Sequence, residues 1–235
     1  MPWRNFIRRH CRKRVLRRKT LPVFLDFPPR NVIFAQDFKS MKNIVFDLGG
    51  VVFARDPRKC TKEFVDFFSF VTLPQMPAFW EEYDRGTLTV EQAEDALCEY
   101  HGCPREVAEQ HMRTAIGMQE EIIWTRNLIE DLKNAGYKLY VLSNMSREFI
   151  DYLRERSVYA FFDGEVISCE EHTVKPERRI YEILLSRYDL EPRSTMFIDD
   201  RQANIDAAAE FGIVPFLFDR HDPKASCDRL RKILL

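Results

Sequence analysis

No stretch of this 235-residue chain is apolar for long enough to cross a bilayer. Its six cysteines (Cys11, Cys60, Cys98, Cys103, Cys169, Cys227) form no CxxC pair and show no metal-ligand spacing, and its five histidines are scattered. Neither a disulfide framework nor a zinc site is written there, and the thiols read as buried or incidental ones in a reducing compartment. No internal repeat occurs, and no low-complexity stretch lies outside the first forty residues. These absences lead to the expectation of a soluble, cytoplasmic protein with no membrane span.

Acidic residues are also missing from one place. Met1 to Lys19 holds nine Arg/Lys and no Asp or Glu. The chain's 36 basic and 37 acidic residues nearly cancel, but 11 and 2 of them fall in residues 1–40, which leaves 25 and 35 for residues 41–235. The body therefore carries a net charge of −10 and offers no general surface for nucleic acid. The basic segment shows no clean amphipathic period, and Pro28-Pro29 interrupts any regular element. It fits a basic arm for nucleic acid or anionic lipid, or an Arg-rich targeting peptide. The preferred reading is a tail ahead of a true start at Met41, and disorder is its physical expectation.

Apolar residues make up 45% of the chain and aromatics 13%, enough for the core of one domain or of one domain with an inserted module. Five near-continuous apolar runs read as strands: Asn43–Phe46, Lys138–Leu142, Glu165–Ser168, Thr195–Ile198 and Val214–Phe218. Helical patterns separate them, as at Ile180, Tyr181, Leu184 and Leu185, or at Ile205, Ala208 and Ala209 before Gly212. Strands of this kind imply a parallel sheet covered on both faces. The first crossover is too long for one helix, and residues 57–125 read as an all-helical insertion. Phe64, Val65, Phe67, Phe68 and Val71 form one apolar face. A second face, Ala93, Ala96, Leu97 and Tyr100, follows a capping box at Thr89 and Gln92. A third helix follows Pro104.

Four short segments carry chemistry. Asp47 ends the first strand and opens Asp47-Leu48-Gly49-Gly50-Val51; a carboxylate there can attack phosphorus and form an aspartyl-phosphate, with glycines that admit a close ligand. Ser143 and Asn144 end the second strand, where a hydroxyl and free N–H groups suit a phosphate, although a plain helix cap is the simpler alternative. Lys175 begins Lys175-Pro176-Glu177-Arg178-Arg179-Ile180-Tyr181 and offers a point cation; a solvated lysine before a helix is the bland alternative. Asp199 and Asp200 end a Met-Phe-Ile run, and adjacent acids at an apolar strand end call for a compensating cation. Mg²⁺, hard and oxygen-seeking, is the natural one.

These four segments in this order resemble the haloacid dehalogenase-like superfamily in its magnesium-dependent phosphatase branch. The resemblance spans Met41 to the C-terminus. It implies a Rossmann-like three-layer α/β core (41–56 and 126–235), a helical cap (57–125) and Mg²⁺ held by Asp47, the Gly49 carbonyl and Asp199/Asp200. Asp47 and Lys175 would be catalytic, Ser143 and Lys175 would hold the phosphate of a small phosphorylated metabolite, and Asn144 would contact either that phosphate or the substrate. In most such phosphatases a second aspartate, the general acid, lies two residues after the nucleophile; here that place is Gly49. The Asp-Leu-Gly-Gly variant is similar to bacterial glucose-1-phosphate phosphatase-type members, which implies a sugar phosphate. Asp56 is a speculative substitute acid, and a turn or capping role suits it better. Trp80, Glu81, Tyr83 and Arg85, ahead of Gly86, read as a specificity loop or as cap core, and Arg201, Gln202 and Asn204 as crevice lining or helix cap. The competing classes are a 2-haloacid dehalogenase, which the acid pair argues against, and a degenerate member that only binds a phosphorylated ligand. A monomer or a homodimer would serve either.

Overall fold

The computed structural model describes Phe38–Leu235 apart from residue 74. The basic segment read as an arm, leader or upstream tail lies outside the described residues, except for its last three, Phe38–Ser40, which form a single 3-10 turn.

In chain order the elements are β1 (Asn43–Phe46), β2 (Phe53–Ala54), α1 (Lys62–Phe67), α2 (Ala78–Asp84), α3 (Val90–His101), α4 (Arg105–Gly117), β3 (Glu120–Glu121), α5 (Ile123–Asn134), β4 (Lys138–Ser143), α6 (Arg147–Arg154), β5 (Gly164–Ile167), α7 (Ser168–Glu171), α8 (Arg178–Arg187), β6 (Thr195–Asp199), α9 (Gln202–Glu210), β7 (Val214–Leu217) and α10 (Pro223–Leu234). The five longer strands form one sheet in the order β5-β4-β1-β6-β7, parallel throughout. The expected α/β architecture is the observed one.

Both faces of the sheet are covered, which is why its strands read as unbroken apolar runs. Ile44 and Phe46 of β1 pack with Leu128, Ile129 and Leu132 of α5 and with Leu230 of α10. Val45, between them, points to the opposite layer, where Ile180, Tyr181 and Leu184 of α8 and Ile205 of α9 cover it. Side chains fully buried in this way each contribute about 1.5–3 kcal/mol. The pattern of β1, with its neighbours on both edges, makes it the centre of the molecule.

The helices between β1 and β4 form a third cluster of their own. Phe64, Phe67, Phe68 and Phe70 meet Trp80 and Tyr83, Leu97 of α3 and Met112 of α4. Thr89 and Gln92 close the expected capping box, with bonds of 3.3 and 2.9 Å. Two features were not legible in the sequence. The segment Ala78–Asp84, which the sequence left open between a specificity loop and cap core, is helical. A short antiparallel ribbon, Phe53↔Glu121 and Ala54↔Glu120, joins the two ends of the insertion, and two-residue strands carry no periodicity to read.

The insertion is pinned to the sheet at residues 83–86. Tyr83 donates its hydroxyl to Glu148 Oε2 at 2.6 Å, and the Asp84 carbonyl accepts from Ser168 Oγ. Arg85 forks onto both carboxylate oxygens of Glu177, at 2.9 and 2.8 Å. Gly86 takes φ +74°, and a Cβ there would lie 2.4 Å from the Cys169 carbonyl oxygen. A side chain at this position would meet both backbone strain and a clash with main chain, which cannot swing away. Gly86→Ala is therefore expected to lower stability by about 2 kcal/mol or more. An unchanged denaturant midpoint would show that the docking is looser than described.

Candidate active site

Parallel strands end at one rim of their sheet, and groups placed just beyond those ends share a crevice. Asp47 follows β1, Ser143 is the last residue of β4, and Asp199 is the last residue of β6. These three strands are immediate neighbours, with β1 in the middle. Residues 152 positions apart in the chain are thereby brought into contact range.

Lys175, between α7 and α8, reaches into this rim and is almost fully buried. Its ammonium lies 2.8 Å from Asp47 Oδ1 and 2.7 Å from Asp199 Oδ2, and it donates to the Leu142 carbonyl at 2.9 Å. All its donors are thus aimed at oxygen, as burial of a charge demands. Burial pulls its pKa down, but Asp199 and Asp47 outweigh that and the net shift is upward. Ser143 Oγ donates to Asp47 Oδ1 at 2.8 Å. Asn144 is tied to the lysine's backbone. Its side-chain amide donates to the Lys175 carbonyl at 2.9 Å and accepts from the Lys175 N–H at 2.7 Å, so it clamps the backbone that carries the lysine.

The acid pair divides its labour. Asp199 is completely buried, and besides Lys175 it accepts from the Arg201 N–H at 2.7 Å and from Asn204 Nδ2 at 3.1 and 3.0 Å. Asp200 meets Arg220 at 3.3 Å and faces the open crevice. Carboxylate oxygens of Asp47, Asp199 and Asp200 all lie within 4.8 Å of one another. Burial, and then the two neighbouring acids against the pull of Lys175, push the Asp47 carboxyl up to about 6. Burial, followed by Asp199, also raises Asp200. Three hard oxygen donors crowded around one ammonium fit a divalent cation such as Mg²⁺. At Gly49 a Cβ would meet nothing within 4 Å, whereas at Gly50, φ +78°, one would touch Asp200 Oδ2 at 3.0 Å. The loop thus leaves room over the acids where a ligand belongs.

Asp47, Gly49, Asn144, Lys175 and Asp200 line a cavity of about 1030 Å³ between the sheet rim and the helical insertion. Trp80 and Glu81 also line it; Tyr83 and Arg85 instead serve the docking described above. Arg201 reaches across to the Val71 carbonyl at 2.8 Å, and Gln202 bonds Asp206. Asp56 does not act as a spare acid. It pairs with Arg58 at 2.7 Å, and hydrogen bonds from that residue bring its carboxyl down to about 2. A group held so far below neutrality keeps no proton to give.

Sequence reasoning missed two cavity-lining acids, Asp219 and Asp84, the latter the last residue of α2. Asp84 is buried, and desolvation, followed by opposing attraction from Arg201 and repulsion from Asp47, carries its carboxyl up to about 7. A lone polar residue at a helix end gives no periodic signal. Arg55 was missed as well: it lines the same cavity and lies over the Phe64 and Phe68 rings, 5.4 and 5.7 Å from their centroids.

Comparison with known proteins adds relatives to this geometry. The chain is 28% identical over 196 residues to a sesquiterpene phosphatase of Aspergillus oryzae, covering 83% of this chain and 97% of the relative. A D-ribitol-5-phosphate phosphatase of Bacteroides thetaiotaomicron is 26% identical over 75% of this chain and 91% of its own. A crystal structure of a haloacid dehalogenase family enzyme of the same bacterium, in complex with magnesium and inorganic phosphate, superposes with a TM-score of 0.61 at 23% identity, covering 77% of this chain and 95% of that one. At that identity the superposition speaks for the fold. The family model for haloacid dehalogenase-like hydrolases matches residues 41–212, and the chain belongs to this family of hydrolases.

Proposed function

We propose that the protein is a Mg²⁺-dependent phosphomonoesterase that works through an aspartyl-phosphate at Asp47. The observation that carries this reading is the buried Lys175 ammonium shared by Asp47 and Asp199, with Asp200 open to the crevice beside them. Asp47, the Gly49 carbonyl and Asp200 would hold the ion. Asp199, saturated by Lys175, Asn204 and Arg201, would act by fixing the lysine. When bound, Mg²⁺ supplies charge neutralisation for the phosphoryl oxygens.

The chain's own residues account for the rest. Asp47 attacks phosphorus in line with the leaving oxygen. The Lys175 ammonium lies where negative charge accumulates, pre-organised by Leu142, Asp199 and the Asn144 clamp. The Ser143 hydroxyl, now on Asp47 Oδ1, is placed to turn toward a phosphoryl oxygen. Water then cleaves the aspartyl-phosphate and frees Asp47. The helical insertion (57–125) serves as the cap that roofs the cavity over the core segments 41–56 and 126–235.

The substrate is a small phosphorylated metabolite. A sugar or polyol phosphate suits the resemblance to glucose-1-phosphate phosphatases and the Bacteroides relative named for ribitol 5-phosphate. One observation favours a second reading, an apolar phosphate ester. Val71, Leu73, Met76 and Trp80 present an apolar wall to the cavity, and the Aspergillus relative is named for sesquiterpenes. Turnover of glucose 1-phosphate, ribitol 5-phosphate and a prenyl monophosphate under one set of conditions separates the two.

Asp47→Asn is expected to abolish hydrolysis of every phosphomonoester, and activity near wild type would remove Asp47 as nucleophile. Lys175→Ala should lose at least ~10²-fold in kcat. It should also cost about 3–5 kcal/mol in stability, because two buried carboxylates lose their cation. Chelation with EDTA should silence the enzyme reversibly, and indifference to it favours the dehalogenase alternative. The folded-state carboxyls of Asp47, at about 6, and of Asp200 are raised above their ordinary values. In the metal-free protein the stability these two groups contribute is therefore full below about pH 4 and is lost as pH rises through about 6. Added Mg²⁺ should consequently raise Tm more at pH 8 than at pH 5; an equal shift at both would contradict ligation by these acids.

A further inference from the structure

The missing carboxyl at position 49 leaves the leaving group without its usual proton donor, and the cavity restricts what can replace it. In-line attack from Asp47 at the sheet rim directs the leaving oxygen away from the sheet and toward the insertion. Three acids line the cavity beyond Asp47 and Asp200: Glu81, Asp84 and Asp219. Glu81 pairs with Arg85 at 2.8 Å, and Asp219 accepts the His221 N–H at 2.9 Å. Asp84 has no ion pair among the described residues.

Asp84 is also the most firmly positioned of the three. Tyr83 before it is bonded to Glu148, its own carbonyl accepts from Ser168, Arg85 after it forks onto Glu177, and Gly86 lies against the Cys169 backbone. A residue of the insertion is thereby fixed to the core beside the catalytic rim, which is the pre-organisation that proton transfer requires.

We infer that Asp84 is the general acid of the reaction, delivering its proton to the leaving oxygen from the cap side of the cavity. This inference rests on the phosphatase reading. As Asp47 Oδ bonds to phosphorus, the bond from phosphorus to the ester oxygen breaks. The electron pair stays on that oxygen, and the Asp84 proton makes it an alcohol. In the second half, water attacks phosphorus, its proton returns to the Asp84 carboxylate, and inorganic phosphate and free Asp47 result. The groups facing Asp84 are Arg201, Asp47, Glu81 and the Ser146 N–H. With burial dominating these influences, its carboxyl lies at about 7 and still holds a proton near neutrality.

The test compares two esters of similar shape, phenyl and p-nitrophenyl phosphate, with the full chain and Mg²⁺. p-Nitrophenolate leaves readily as an anion, whereas phenolate, whose parent phenol resembles tyrosine with a pKa of about 10, needs the proton. In Asp84→Asn, kcat/KM on phenyl phosphate is expected to fall by ~10²-fold or more, and on p-nitrophenyl phosphate by less than ~10-fold. Wild-type activity on phenyl phosphate should decline above about pH 7, and this limb should vanish in the variant. Equal loss on both esters, or no loss on either, overturns the assignment. If Asp84→Asn does not fold, a series of substituted phenyl phosphates with the wild type decides. A shallow dependence of kcat/KM on leaving-group pKa supports proton donation, and a steep one removes it. Wild type inert toward every ester would sink the phosphatase reading and this one with it. An active wild type with an unsplit variant removes Asp84 alone.

Discussion

The Lys175 ammonium is the constraint around which the rim is built. Buried without partners, it would cost several kcal/mol. Asp47, Asp199 and the Leu142 carbonyl remove that cost only if β1, β6 and β4 end side by side. The strand order therefore does more than bury apolar faces: it assembles a charge site that no single element could hold. The local balance is still negative, with three carboxylates against the Lys175 ammonium and the Arg220 guanidinium. Burial first, and then the repulsion from Asp199 and Asp200, pushes the Asp47 carboxyl upward, and a divalent cation would relieve the repulsion.

The insertion is attached to this site at two levels. The β2–β3 ribbon ties both its ends together a few residues beyond Asp47, and Ile122 N–H adds a bond to the Val52 carbonyl at 2.8 Å. Farther out, residues 83–86 dock on the segment that opens with Ser168, and Arg201 reaches over to Val71. The residue following the acid pair thus touches the insertion, and the residue ending α2 lines the same cavity as Asp47.

Much of this was legible in the sequence, for a definable reason. A central parallel strand is apolar on both faces, so β1, β4 and β6 announce themselves as unbroken runs, and the polar residue ending each run is conspicuous. Asp47, Ser143 and Asp199 were found in that way. Lys175 was found through its surrounding Lys-Pro…Ile-Tyr pattern. What failed to show has an equally physical cause. The two-residue strands have no period, and α2 is short, with aromatic spacing that suits a loop as well as a helix. The sequence offers Asn144 to the phosphate or the substrate, and only the fold reveals its two bonds to the Lys175 backbone. The different duties of Asp199 and Asp200 depend on who donates to each, which adjacency in sequence does not record.

Asp56 and Asp84 show where sequence reading must stop. Both are single aspartates downstream of the nucleophile, and nothing in their identity ranks one above the other. Asp56 lies against the Arg58 guanidinium and is held as a carboxylate, with its pKa near 2. Asp84 is desolvated, and the pull of Arg201 does not undo that burial, so its pKa rises to about 7. Two chemically identical side chains are pushed in opposite directions, and the difference comes from neighbours and water. An acid lost at position 49 can therefore be replaced from another layer of the fold, provided the replacement is kept dry and held still. The docking contacts of residues 83–86 meet both conditions at once.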